Sequence, residues 1–285
     1  MKSQLIINAD DFGDSESVVD AILALARKGS VTSTSIMATG KAFDYGITRA
    51  RAIQGDRSIG LHGEMPDLSF GVHLDATTGI PLSAPDEIPS LLDQSGRFRQ
   101  WMQPGSINGI ETEHLEREFR RQIERVLNTK IDVTHLDNHL NWIYFDTRLF
   151  RVVTDLAREF DLPLRFPFGG MSSERADRIA SHYRIPMAEF TRAISETTAI
   201  IKEVGVRTAD QFWIEFTSID RSEEAIEHFI TELRPGITEL CVHPGGDTPR
   251  QIQEYSLLTR YPAQRLLEIA PNIELKSFTA LRRSQ

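Results

Sequence analysis

Leu5-Ile-Ile-Asn-Ala-Asp-Asp-Phe-Gly13 opens the chain with a short apolar run that ends in two adjacent carboxylates and a glycine. A run of this kind forms a buried parallel strand. Neighbouring like charges at a strand end repel, and a fold seldom places them there without a cation or a proton between them. Successive strand residues point in opposite directions, so one Asp could reach a metal while its neighbour takes a different role. The same residues also read as a loop capping a helix from Ser15, since Asp and Asn are common turn and cap residues.

Outward from this stretch, strand-like and helix-like segments alternate. Ser15–Lys28 carries an apolar stripe (Val18, Val19, Ile22, Leu23, Leu25) and stops at Gly29. Val31–Met37 reads as a strand and Lys41–Ile53 as a helix, then Leu68–Leu74 as a strand and Glu111–Leu127 as an amphipathic helix. Strands follow at Ile131–His135, Leu162–Phe166, Phe212–Phe216, Thr238–Val242 and Ile273–Lys276. Helical patterns lie between them at Asp146–Phe160, Ser173–Val204, Ser222–Leu233 and Pro249–Ile269. The alternation predicts an α/β fold with a mainly parallel sheet, and at this length a closed or distorted (β/α) barrel rather than a doubly wound sheet. No Gly-rich phosphate loop follows any strand. Ser83–Gly109 lacks periodicity and is expected to be a lid, a binding loop or a poorly structured excursion.

The 285 residues suffice for one large domain or two small ones, and residues 1–285 are expected to form a single domain. A net charge of −9 argues against a nucleic-acid partner, because phosphate binding needs clustered Lys and Arg. No apolar run approaches a membrane span, and the first strand leaves no room for a signal peptide, so a cytoplasmic location is expected. The single cysteine, Cys241, excludes an intrachain disulfide and a Cys-rich zinc site.

In a parallel barrel, functional groups gather at the C-terminal ends of strands. Four segments deliver reactive residues there: Asp10 and Asp11, His73, the run His135-Leu-Asp137-Asn138-His139, and His243 before Pro244-Gly245-Gly246. His114, His182 and His228 fall on helices and read as surface or packing residues. An Asp with two His suits a catalytic divalent ion that keeps open positions, with Zn²⁺, Mn²⁺, Fe²⁺, Co²⁺ or Mg²⁺ all compatible.

At these residues the chain resembles the YdjC-like carbohydrate deacetylases, which include chitooligosaccharide deacetylases and hopanoid-associated relatives. The likeness is densest at Asn8-Ala-Asp-Asp-Phe-Gly13 with Val31-Thr-Ser-Thr-Ser35, Gly71-Val-His-Leu74 with Gly79-Ile-Pro-Leu82, Thr134-His-Leu-Asp137 with His139, and Cys241-Val-His-Pro-Gly245. The resemblance implies a distorted barrel related to the NodB-like polysaccharide deacetylases. It implies one divalent ion, Mg²⁺ or Zn²⁺, on Asp11, His73 and His139. Asp10 would be the general base, His243 the general acid, and Arg165 would position substrate or the Asp base. His62 imitates the Gly-x-His pattern, but only His73 has the family's register to Gly-x-Pro-Leu.

The implied reaction is hydrolysis of an N-acetyl group from an amino sugar or oligosaccharide, releasing acetate. Asp137 is expected to orient a histidine, and Trp142 and Trp101 to offer rings for a sugar face. The family's further histidines after His139 are replaced by Leu140 and Asn141, which bears on the sugar-contacting surface. A homodimer is an expectation from the family alone. A metal-dependent phosphoesterase and a non-catalytic sugar-binding relative are the alternatives.

Overall fold

The structure, a computed structural model, describes residues 2–55, 67–99, 106–214 and 221–282. Its sheet contains β1 (Ser3–Phe12), β2 (Ser33–Ile36), β3 (Ser69–Leu74), β4 (Val133–Asn138), β5 (Gln211–Trp213), β6 (Gly236–Val242) and β7 (Ile273–Lys276). The order is β4-β3-β2-β1-β6-β5, and every pairing is parallel. β6 takes one edge of β1 over Ser3–Ala9, so β7 along Ser3–Ile6 and β2 from Asn8 onward divide the other. Leu5, Ile6 and Ile7 are buried, as a central strand covered on both faces requires.

Helices α1 (Glu16–Arg27), α2 (Phe43–Gly55), α3 (Thr112–Asn128), α4 (Thr147–Glu159), α5 (Ser173–Tyr183), α6 (Met187–Val204), α7 (Glu223–Thr231), α8 (Pro249–Thr259) and α9 (Ala263–Ile269) link the strands. Ser15 caps α1 by accepting the Val18 N–H, so the helix cap lies beyond the aspartates rather than on them. No helix among the described residues is long and apolar enough to cross a membrane.

Leu162–Phe166 departs from the expected strand. Pro163 and Pro167 remove two N–H donors from the segment, which makes a single parallel bridge, Leu164 to Leu136. Arg165 N–H donates to Leu136 O, Leu164 N–H to Arg207 O, and Phe212 N–H to Gly169 O. Residues 162–170 thus lace the outer strands β4 and β5 together. The sheet curls into a distorted, incompletely regular barrel, with Arg165 carried by the irregular stave.

The described part of Ser83–Gly109 is anchored. Ile88, Leu91, Leu92 and Phe98 are buried in the core, and Leu92 bridges Phe98 across a turn. Glu118 on α3 accepts the N–H groups of Leu82 and Ser83. Trp101 and His62 lie outside the described residues.

Candidate active site

Strict alternation along β1 would turn Asp10 and Asp11 to opposite faces. The register against β2 instead slips between Ala9 and Phe12, and Asp11 adopts φ +69°. This bulge, in a region of backbone space that L residues rarely occupy, aims both carboxylates into one pocket. Asp11 Oδ1 is 3.3 Å and Asp10 Oδ2 3.9 Å from the same nitrogen, His73 Nε2.

His73 lies near the end of β3, and His139 follows β4, where its N–H donates to Leu74 O. Asp11 Oδ1, His73 Nε2 and His139 Nδ1 form a nearly equilateral triangle, with edges of 3.3 Å, 3.2 Å and 3.3 Å. Oxygen and nitrogen ligands at about 2.0–2.1 Å from a tetrahedral ion stand roughly 3.3 Å apart. The three atoms therefore fit one face of a divalent-ion site without rearrangement. Mixed His/carboxylate donors suit Zn²⁺ and its first-row neighbours. Asp137 Oδ1 lies 2.8 Å from His73 Nδ1, which fixes the ring and leaves Nε2 for the ion. Ser35 Oγ sits 3.3 Å from the same Nδ1.

Asp10 is 3% exposed, and Arg165 grips it with two N–H bonds, NH1 to Oδ2 at 2.6 Å and NH2 to Oδ1 at 2.7 Å. Arg165 also donates from Nε to Glu239 Oε1 at 2.7 Å and lies 3.1 Å from Asp137 Oδ2. Burial opposes ionisation of Asp10, but the charges of Arg165, His73 and His243 outweigh it and hold its carboxyl well below the usual range. Burial likewise opposes charge on Asp11, and hydrogen bonds with His139 and His73 overcome it. Glu239 behaves oppositely: burial, with Asp137 and Asp10 nearby, outweighs Arg165 and lifts its carboxyl to about 7. Its Oε2 has no hydrogen-bond partner, which leaves that oxygen as the place for a proton.

His243 directly follows β6, with Nε2 3.7 Å from Asp10 Oδ2. Two residues of α8 hold it. Glu254 accepts the His243 N–H at 2.6 Å, and Arg250 NH2 lies 3.1 Å from Nδ1. A guanidinium only donates, so Nδ1 accepts and the imidazole hydrogen falls on Nε2, facing Asp10.

The structure brings Asp10, Asp11, His73, His139, His243 and Arg165 together at the C-terminal end of the sheet. Trp142 is in the short helix Trp142–Phe145 and is largely buried. Leu140 beside His139 is exposed and has φ +61°. His135 joins no donor set: burial drives its pKa down to about 3, and its ring stacks on Phe278 at 3.6 Å. Sequence reasoning missed Glu239, Arg250, Glu254 and Asn8. Glu239 had a signal, since it shares the inward face of β6 with Cys241 and His243 at two-residue spacing. Asn8 stands likewise two residues before Asp10 and donates to its Oδ1 at 2.9 Å. Arg250 and Glu254 come from a distant helix whose docking no local pattern reveals.

Fold and site together define an α/β protein whose curled parallel sheet presents an Asp/His donor triangle beside a buried, arginine-held carboxylate. Residues 4–279 match the model of the family described as YdjC-like protein, and the chain belongs to that family. It is 34% identical over 177 residues to a carbohydrate deacetylase of Brevibacillus brevis, covering 62% of this chain and 64% of that one. A carbohydrate deacetylase of Listeria monocytogenes serotype 4a is 30% identical over 258 residues, covering 88% and 86%. The chain spans just under two thirds of the Brevibacillus relative it matches. In structure it resembles a protein from Enterococcus faecalis V583 described as a cellobiose-phosphate cleavage protein. That likeness has a TM-score of 0.78 at 25% identity and covers 99% of this chain and all of the other.

Proposed function

We propose that this protein is a metal-dependent carbohydrate deacetylase, hydrolysing the N-acetyl group of an amino sugar to release acetate, and that residues 1–285 act as a single catalytic domain. The observation that carries the reading is the donor triangle with a base and an acid on its flank. Asp11, His73 and His139 form three edges of 3.2–3.3 Å, with Asp10 and His243 beside them. Membership in a family with curated carbohydrate deacetylases supports the substrate class.

Asp11, His73 and His139 would hold one divalent ion, Zn²⁺ or Mg²⁺. When bound, the ion supplies Lewis acidity, polarising the amide carbonyl and making a water nucleophile easier to deprotonate. Asp10, kept anionic by Arg165, accepts the proton of the attacking water. Arg165 is buried among the carboxylates of Asp10, Asp137 and Glu239, so its work is to orient Asp10 rather than to bind the sugar. As an imidazolium, formed when the exposed Arg250 head turns away from Nδ1, His243 gives its Nε2 proton to the departing nitrogen and is restored by the proton that Asp10 collects 3.7 Å away. The net transfer moves one water proton to the amine and leaves both side chains as they began. Asp137 and Ser35 keep His73 from rotating.

The test is acetate release from N-acetylglucosamine and chitooligosaccharides, with and without a chelator. Acetate should appear with metal, vanish on chelation and return on re-addition. Metal-loaded protein that releases none from any acetylated amino sugar would sink the reading.

A further inference from the structure

We propose a second divalent-cation site, formed by Asp10 Oδ2, Cys241 Sγ and His243 Nε2, that takes thiophilic ions such as Zn²⁺, Cd²⁺ and Co²⁺. The three donors form their own triangle, with Cys241 Sγ 3.3 Å from Asp10 Oδ2, His243 Nε2 3.7 Å from Asp10 Oδ2, and Sγ 4.0 Å from Nε2. Tetrahedral zinc, with about 2.3 Å to sulfur and about 2.0–2.1 Å to nitrogen and oxygen, sets such pairs roughly 3.5, 3.3 and 3.6 Å apart. Each edge is therefore within a few tenths of an ångström of closure. Cys241 and His243 share a face of β6 by two-residue spacing, and β6 pairs with β1 from Ser3↔Gly236 to Ala9↔Val242, one residue short of Asp10. Asp10 and Cys241 thus lie on neighbouring paired strands, with His243 the first residue after β6.

Charge and access both suit a cation. Asp10 and Asp137 face one guanidinium, Arg165, leaving an excess of carboxylate around it. Asp10 and Cys241 are buried, while the His243 side chain is 20% exposed and gives the ion a way in. On binding, the S–H bond breaks, the S–metal bond forms and the proton leaves to solvent. The imidazole hydrogen moves to Nδ1, where the exposed Arg250 head yields while keeping its contact with Glu254. Mg²⁺, a hard ion that prefers oxygen, does not take this set. If the deacetylase reading holds, an ion here occupies base and acid together and silences turnover.

Cobalt titration tests the site without substrate, so its outcome is independent of that reading. A thiolate bound to Co²⁺ gives a near-ultraviolet charge-transfer band, and with one cysteine in the chain the band reports Cys241 alone. Wild-type protein should bind two Co²⁺, with the band growing at the second equivalent. Cys241→Ser, nearly isosteric, should bind one and show no band. Asp11→Asn should lose the first equivalent and keep the band. A wild type that binds a single ion without the band, or a Cys241→Ser variant that still binds two, overturns the proposal.

Discussion

At the scale of single residues, the site depends on a backbone irregularity at Asp11. The sequence shows two carboxylates at a strand end, and strand alternation sends them to opposite faces. What alternation hides is the bulge at Asp11, with φ +69°, where the register against β2 slips. With both carboxylates in one pocket, their separate partners divide the work: imidazoles for Asp11, a guanidinium for Asp10. Asp10→Asn keeps the shape but cannot accept a proton. Its acetate-release rate should fall about 10²–10⁴-fold, the usual span for a positioned base, while elemental analysis still finds the one equivalent of ion held by Asp11, His73 and His139.

Glu239 supports a second residue-level prediction, of opposite sign to the usual carboxylate. Its folded-state value, about 7, lies above its ordinary value of 4.5, so the folded protein keeps a proton that the unfolded chain has released. Its contribution is therefore fully present below about 4.5 and lost as pH rises through about 7. Gln imitates the protonated acid at every pH. Chelator-treated wild type and Glu239→Gln should have similar urea midpoints near pH 5, with the variant gaining by at most a few kcal/mol toward pH 8. Parallel curves would mean that Glu239 is ionised throughout.

Among elements, β3 shows how a strand is pressed against its neighbour to place a ligand. A Cβ on Gly71 would meet His135 Cε1 and Nε2 at 2.4 Å. That ring cannot retreat, since it is stacked on Phe278 and lies 2.9 Å from Thr134 Oγ1 through Nδ1. Gly71→Ala should thus cost about 1–3 kcal/mol by overpacking and lower the melting temperature. It should also weaken ion binding, because His73 is only two residues along the same strand. In a His135→Ala background the same substitution should cost far less, and equal costs in both backgrounds would refute the contact. Most strands and helices were legible as periodic patterns, β3 among them. The segment at Leu162–Phe166 was not, because its apolar alternation is that of a strand while Pro163 and Pro167 deny it a ladder. Arg165 owes its reach into the pocket to that failed strand.

On the scale of the whole molecule, the candidate ion site is a cross-link. Asp11 belongs to β1, His73 to β3, and His139 follows β4, while β2 lies between and supplies only Ser35. These residues are 128 and 66 positions apart in the chain, so the unfolded state cannot present them together. An ion that binds only the folded protein stabilises it by mass action, by about 2.7 kcal/mol at a free concentration one hundred times its Kd. For a chain of this size each kcal/mol moves the melting temperature roughly 2–4 °C. Adding Zn²⁺ to chelator-treated Cys241→Ser protein, where the Asp11 triangle alone can hold it, should therefore raise the melting temperature by about 5–10 °C, in scanning calorimetry at fixed protein concentration. Asp11→Asn is compared in that same background. Asp11→Asn breaks two edges of the triangle and should abolish most of that rise while leaving the chelated protein near its original melting temperature. An equal rise in the variant would place the stabilising ion elsewhere in the molecule. The curled sheet would then owe nothing to the three strands meeting at Asp11.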